Sequence, residues 1–391
     1  MNKMPENITK RKLRIYFPEV EAGYGHIMTC RAIKEMFEKK YSDEFEIISN
    51  DFFESSENKL VKKYGKLLIQ KVQQYTQHPG IGIFEESLSI LLWPIAMWTS
   101  MHVPFPGSVR AGIKDMEKIE ADIVFSTHWV TNYYAMKIKE NRPFSILYCP
   151  DVKLNSYFRT KSDITLFPVE SGYEKIQKSI FYKNKISLVP FCVKNEIFDL
   201  YNKKDTLRKE LSIDPDKFML VLAEGGYGNG KIGKMVELLL KENLPITIVA
   251  FTGKNITLYE KIKSYDVPSN TVFIPFGFSN DILKYIACAD LFSGKSGSMI
   301  CEPTFFGVPS LITGCSTVVE INNAKYYSKV TKTAIVEKNP KRAVKLIKDF
   351  LANPHLLDTY KENCRNFHQH YNVEKTADYL YDIIQNHNLG K

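Results

Sequence analysis

The chain has 391 residues, 44% apolar and 25% charged, the composition of an ordinary globular protein with two or three domains. Its net charge of +9 attracts anions or reflects a lysine-rich surface, but no zinc-finger spacing, RNP-like aromatic motif or basic block interleaved with aromatics is present, so nucleic acid is not expected. Cys30, Cys149, Cys192, Cys288, Cys301, Cys315 and Cys364 form no C-x-x-C pair and are expected as reduced core residues; residues 1–14 lack a signal-peptide apolar run, so a cytoplasmic protein is expected.

Taken in chain order, alternating strand and helix patterns predict an α/β fold with two Rossmann-like domains. Strands are expected at 13–17, 44–49, 123–126, 145–148, 164–167 and 186–189, with a helix over 27–40. Residues 196–211 become charged and read as a linker of helical character. A second series of strands is expected at 218–223, 246–251, 271–274, 291–293, 310–313 and 334–336, and an amphipathic helix over 376–386. The domains expected are thus 1–195 and 212–370, joined by the linker 196–211 and followed by a helical segment, 371–391. There is no internal repeat and no low-complexity segment.

Each half carries a glycine loop after its first strand: Glu21-Ala22-Gly23-Tyr24-Gly25-His26, then Glu224-Gly225-Gly226-Tyr227-Gly228-Asn229-Gly230. Ligands bind at the carboxyl ends of parallel strands, where His26 would orient or deprotonate a hydroxyl. The first loop lacks the full G-x-G-x-x-G spacing, the second lacks a downstream acidic reader, and neither ends as a P-loop. Each alone reads equally well as a tight strand–helix turn.

Residues 289–312 say more. An apolar run ends in the turn Ser296-Gly297-Ser298, a helix pattern containing Glu302 follows, and Gly307-Val308-Pro309 stops it before the next strand. The N–H groups of Ser296, Gly297 and Ser298 are expected to converge at the helix start, where the dipole favours a phosphate. Glu302, about one turn further in, can accept bonds from both hydroxyls of a ribose. A nucleotide-diphosphate site is the expectation.

Residues 87–109 contain no Lys, Arg, Asp or Glu and include Trp93 and Trp98. Pro94, Pro104 and Pro106 argue against a bilayer span, which leaves an interfacial or acceptor-lining element, or a buried helix pair. Lys62, Lys63 and Lys66, just upstream, would face anionic lipid.

The order Gly23-x-Gly25-His26, Gly225-Gly226-x-Gly228, Phe276-Gly277-Phe278-Ser279-Asn280-Asp281, the 294–307 segment and Asn322-Asn323-Ala324 resembles the GT-B glycosyltransferases. The similarity is strongest to the group holding monogalactosyldiacylglycerol synthases, bacterial diacylglycerol glucosyltransferases and the GlcNAc transferase that forms lipid II. The resemblance implies two open parallel sheets facing a central cleft, with an acceptor-binding, membrane-facing first domain and a UDP-sugar donor domain. It places ribose on Glu302, the diphosphate on Ser296–Ser298, uracil on the backbone of Phe276, Gly277 and Phe278, and sugar hydroxyls on Asn322 and Asn323. Gly225 and Gly226 would lie against the donor, and Gly23 and Gly25 on the acceptor side.

It further implies an inverting displacement onto a hydroxyl of a lipid such as diacylglycerol or another glycolipid, on the inner face of the cell membrane. No catalytic metal or cofactor is expected, and no D-x-D motif stands at a suitable strand end. His26 and Asp151 are the candidate catalytic residues, with Glu21 and Glu224 next. The chain departs from its relatives after Asp151, where an expected His is absent and Tyr157 stands near a Trp position. A nucleotide-sugar epimerase or hydrolase of the same fold, or a non-catalytic sugar-nucleotide-binding protein, is the rival reading.

Overall fold

The computed structural model describes residues 11–21, 23–93, 95–177, 185–226, 228 and 231–387. Ala22, Pro94, Tyr227, Asn229 and Gly230 of the segments singled out above lie outside the described residues, as does the side chain of Tyr24.

Two six-stranded parallel sheets form the frame. The first runs in the order β2-β1-β3-β4-β5-β6, built from β1 (Leu13–Glu19), β2 (Phe45–Asp51), β3 (Ile123–Ser126), β4 (Phe144–Tyr148), β5 (Ile164–Phe167) and β6 (Lys185–Leu188). The second runs β12-β11-β10-β7-β8-β9, built from β7 (Phe218–Ala223), β8 (Ile246–Phe251), β9 (Val272–Phe276), β10 (Leu291–Lys295), β11 (Ser310–Gly314) and β12 (Ala334–Val336). Strands β3, β5 and β8 are buried along their whole length, as expected where helices cover both faces of a parallel sheet and the strand sequence is mostly apolar, broken only by a small hydroxyl residue in each.

The order reverses between β1 and β3 in the first sheet and between β7 and β10 in the second. At such switch points the loops leaving adjacent strands diverge and open a crevice at their carboxyl ends. These two crevices face one another and make the cleft.

Residues 196–211 are not an open tether. They form the helices Glu196–Leu200 and Lys204–Glu210, with Ile197, Leu207 and Arg208 buried. Arg208 and Lys204 both grip Asp290, at 2.7 and 2.5 Å, fixing this segment to the start of β10.

The helix Val373–Asn386 returns to the first half. Val373, Ala377, Leu380, Ile383 and Ile384 join the core made by β1 and the Tyr24–Tyr41 helix. Tyr381 stacks on Tyr41 with ring centroids 4.3 Å apart, and Phe191 and Tyr371 pair through a parallel β-bridge where the chain crosses.

Candidate functional site

A cleft of ≈ 1080 Å³ lies between the halves. The loops after β1, β3, β7 and β10 all reach it: Gly23, Gly25 and His26 after β1, His128 and Trp129 after β3, Glu224, Gly225 and Gly226 after β7, and Lys295, Gly297, Ser298 and Glu302 around the end of β10. The halves touch closely here. A β-carbon on Gly25 would collide with the Ser298 side chain, so only glycine lets the first turn of the Tyr24–Tyr41 helix approach the Gly/Ser turn.

In the first half, His26 Nδ1 stands 2.7 Å from the Thr127 carbonyl, and the Thr127 hydroxyl donates back to the His26 carbonyl at 2.8 Å. A carbonyl only accepts, so Nδ1 carries the proton and Nε2 of the neutral ring keeps its lone pair. Burial pushes the His26 pKa below the ordinary value, opposed by that carbonyl bond. Phe158 lies parallel to the ring and His128 meets it edge-on, with centroids 5.9 and 5.4 Å away. The result is an oriented, uncharged imidazole.

Asp151, after β4, lines the same cleft and is raised to about 7 by burial first and by the Glu86 charge second, with a bond from Asn323 opposing. Glu224 is also raised to about 7 by burial, against the pull of Lys295, and its Oε2 accepts the Lys231 N–H at 3.1 Å. Glu21 does not line the cleft; it pairs with Lys254 of the opposite half.

In the second half Glu302 carries the informative atom. Its Oε2 is buried and has no hydrogen-bond partner, and burial raises the carboxyl to about 7 despite the Lys194 cation. A buried carboxylate oxygen without a donor is costly, and a ligand hydroxyl relieves that cost.

The expected donor residues divide. Gly225, Gly226, Gly277, Phe278, Gly297, Ser298 and Asn323 line the cleft with Glu302, and Phe278 is 52% exposed at its rim. Ser296 does not. It is fully buried, its N–H donates to the Gly314 carbonyl at 3.2 Å and its hydroxyl to the Glu320 carbonyl at 2.7 Å, so the convergent N–H groups reduce to those of Gly297 and Ser298. Phe276 stacks on Phe251, and its carbonyl accepts Thr252 N–H and hydroxyl groups, which leaves Gly277 and Phe278 to face a base.

Asn322 lies off the cleft wall. Asn323 bridges the halves instead, donating to the Ser296 carbonyl at 3.2 Å while its Oδ1 accepts the Val152 N–H at 3.4 Å.

Several cleft residues escaped the sequence reading. Glu320 pairs with Lys295 at 3.0 Å in the first turn of the Val318–Lys325 helix. Glu86 reaches that helix from the other half. His128-Trp129, which follow β3 after Thr127, were the readable signal, since ligands bind at the carboxyl ends of parallel strands; Trp129 stacks on Tyr157 at 4.9 Å. Among the described residues no cluster of three or more His, Cys, Asp or Glu is arranged to hold a metal ion.

The apolar segment forms the helices Pro79–Leu91 and Ile95–His102, which meet at 120°. No single helix among the described residues is long and apolar enough to cross a membrane. The pair is not a buried hairpin: Phe84, Leu91, Ile95 and Trp98 are 66%, 78%, 63% and 57% exposed. Trp93 is half-buried beneath Arg159, whose guanidinium carbon is 5.9 Å from the ring centroid. Lys63 and Lys66 are exposed and Lys62 partly so; none of the three lines the cleft.

No protein-family model matches the chain. It is 21% identical over 402 residues to monogalactosyldiacylglycerol synthase 3 of Arabidopsis thaliana, covering 95% of this chain and 80% of that one. A 159-residue stretch is 30% identical to the UDP-N-acetylglucosamine–N-acetylmuramyl-(pentapeptide) pyrophosphoryl-undecaprenol N-acetylglucosamine transferase of Clostridioides difficile, covering 38% of this chain and 37% of that one. The chain spans only 62–63% of the length of other plant synthases it matches. Among solved structures, MurG of Acinetobacter baumannii superposes with a TM-score of 0.58 at 14% identity, covering 96% of this chain and all of that one. The fold is GT-B, and the chain's sequence relatives are glycosyltransferases. The GT-B frame alone does not choose a reaction, since UDP-GlcNAc 2-epimerase of Neisseria meningitidis bound to UDP-GlcNAc superposes equally well, with a TM-score of 0.58 at 12% identity. Sequence likeness to the transferases, spread over most of the chain, is the discriminating observation.

Proposed function

We propose that this protein is an inverting glycosyltransferase that moves a hexose or N-acetylhexosamine from a UDP-sugar to a hydroxyl of a membrane lipid, such as diacylglycerol or another glycolipid. The observation that carries the reading is the pairing, across one cleft, of the unpartnered Glu302 oxygen with a neutral, oriented His26. Glu302 receives the ribose, the N–H groups of Gly297 and Ser298 receive the diphosphate, and the rim at Gly277 and Phe278 receives the base.

His26 Nε2 takes the proton of the acceptor hydroxyl as that oxygen attacks the anomeric carbon. The new C–O bond forms on the face opposite the breaking bond, whose electrons leave on the terminal phosphate oxygen of UDP. Lys295 and the Gly/Ser turn meet the charge that develops there, and in this reading no catalytic metal takes part. Asp151 lies on the acceptor side, at a carboxyl pKa where it can hold or release a proton near neutrality. The exposed apolar hairpin, with Lys62, Lys63 and Lys66 upstream, places the acceptor half against an anionic membrane surface. That arrangement suits a peripheral protein on the inner face of the membrane.

The test is incubation with a panel of radiolabelled UDP-sugars, with and without lipid extract. Label entering the lipid phase only when lipid is present supports the proposal. Isomerised or hydrolysed UDP-sugar without transfer returns the epimerase or hydrolase reading, and bound but unchanged UDP-sugar returns the binding-protein reading.

A further inference from the structure

Asn195 stands where the first half ends, just before the Glu196–Leu200 helix. Its Nδ2 donates to the Ala32 carbonyl at 3.1 Å and to Glu35 Oε2 at 2.8 Å. Two acceptors on that side fix which end of the amide is nitrogen, so Oδ1 is held on the opposite side. That oxygen is buried and, like Glu302 Oε2, has no hydrogen-bond partner. Both side chains line the same cleft.

Two further observations link the surroundings of these two orphan acceptors. Lys194, the neighbour of Asn195, is the cation that acts on Glu302. The Glu196–Leu200 helix packs on the Ile282–Ala287 helix, which also packs on the helix Cys301–Phe305 that bears Glu302. Two buried oxygens without donors, on residues that line one cleft, match a ligand that brings two hydroxyls. A carbonyl-type oxygen and a carboxylate oxygen only accept, so the groups they await must be donors.

We propose that Asn195 is a second ribose-binding residue of the donor site, its Oδ1 accepting one hydroxyl of the cis-diol while Glu302 accepts the other. The proposal rests on the nucleotide reading of the cleft given above. It also ties the donor to the acceptor half, because the same amide holds the Tyr24–Tyr41 helix through Ala32 and Glu35, and that helix begins at the His26 loop.

Titration calorimetry on the full chain with UDP, 2′-deoxy-UDP and 3′-deoxy-UDP tests this. In the wild type both deoxy analogues bind more weakly than UDP. Asn195→Ala is expected to weaken UDP roughly three- to tenfold and to bind one of the two analogues as well as the wild type does. A loss shared equally by UDP and both analogues, or no loss, overturns the proposal and leaves Asn195 a joint between the halves. Should Asn195→Ala not fold, Glu302→Ala decides. Sensitivity to one deoxy position must survive in it, and loss of sensitivity to both positions overturns the proposal. Weaker UDP binding by Glu302→Ala with unchanged binding by Asn195→Ala sinks this proposal and spares the donor site; a wild type that does not bind UDP sinks both.

Discussion

Glu86 accepts the backbone N–H of Val318 at 2.6 Å, across the cleft from one half to the other. The same oxygen takes the Val319 N–H at 3.2 Å, so a residue of the Pro79–Leu91 helix caps the helix that carries Glu320. Gly82, one turn earlier, packs so closely on the Ser316 carbonyl that a β-carbon there would collide with it. These contacts join the apolar hairpin to the helix that carries Glu320. Removing the cap by Glu86→Ala is expected to cost about 1 kcal/mol of stability, the usual worth of a lost cap. It should raise KM for the UDP-sugar more than it weakens UDP alone. Glu86→Gln keeps an acceptor oxygen and should recover most of both effects, as read by thermal melting and initial-rate kinetics.

Glu302→Ala should weaken UDP by the worth of charge-assisted bonds, on the order of 1.5–3 kcal/mol, with folding retained. Calorimetry with unchanged UDP affinity in a folded Glu302→Ala protein would remove the donor site from this wall. The pH dependence has a definite sign. Burial raises the Glu302 carboxyl from 4.5 to about 7, so its protonated form stabilises the folded state. That stabilisation is complete below about pH 4.5 and is lost as pH rises through about 7. Melting temperature should fall across this window, and Glu302→Gln should flatten part of the fall. Asp151, Glu86 and Glu224 are raised to about 7 as well and supply the remainder.

His26→Ala should depress turnover roughly a hundredfold or more while leaving UDP affinity nearly unchanged, because the ring acts on the attacking hydroxyl. Asp151→Asn should also reduce turnover without loosening UDP. Since burial lowers the His26 pKa, the acid limb of kcat/KM should fall below the ordinary histidine value of 6.5. Full activity in both variants would move the base elsewhere, with Glu224 the remaining cleft carboxylate of the earlier candidates.

The two tryptophans of the hairpin are expected to behave differently. Trp98 is exposed and stacks on His102, so Trp98→Ser with Leu91→Ser should release the protein from anionic vesicles with little change in melting. Trp93 is half-buried, and Trp93→Ser should lower the melting temperature as well. Vesicle sedimentation should show weaker binding to neutral lipid and in high salt. No sedimentation at any lipid charge would favour a soluble acceptor.

The frame was legible because parallel strands buried on both faces are written as near-continuous apolar runs, as in Ile246–Phe251. The loops at their carboxyl ends were legible for the same reason: Gly25 and Ser298 stand directly after or near a predicted strand. Partnership was not legible. Nothing in the sequence around Ser296 says that Gly314 will take its N–H, because that contact follows from the register of β10 on β11. Glu86 and Asn195 stand one residue before the stretches that read as membrane element and linker, 87–109 and 196–211; their roles come from contacts made far along the chain.

The return of the helix Val373–Asn386 to the first half has a consequence for synthesis. Many multidomain chains complete an N-terminal unit while the rest is still being made. Here Phe37 and Phe45 share their core with Leu380 and Ile384, so this layer stays open until the last helix has left the ribosome. The second sheet, whose strands lie between 218 and 336, has no such wait. The half that holds His26 is therefore expected to close last, after a stage in which the second sheet is complete and the first still lacks one wall.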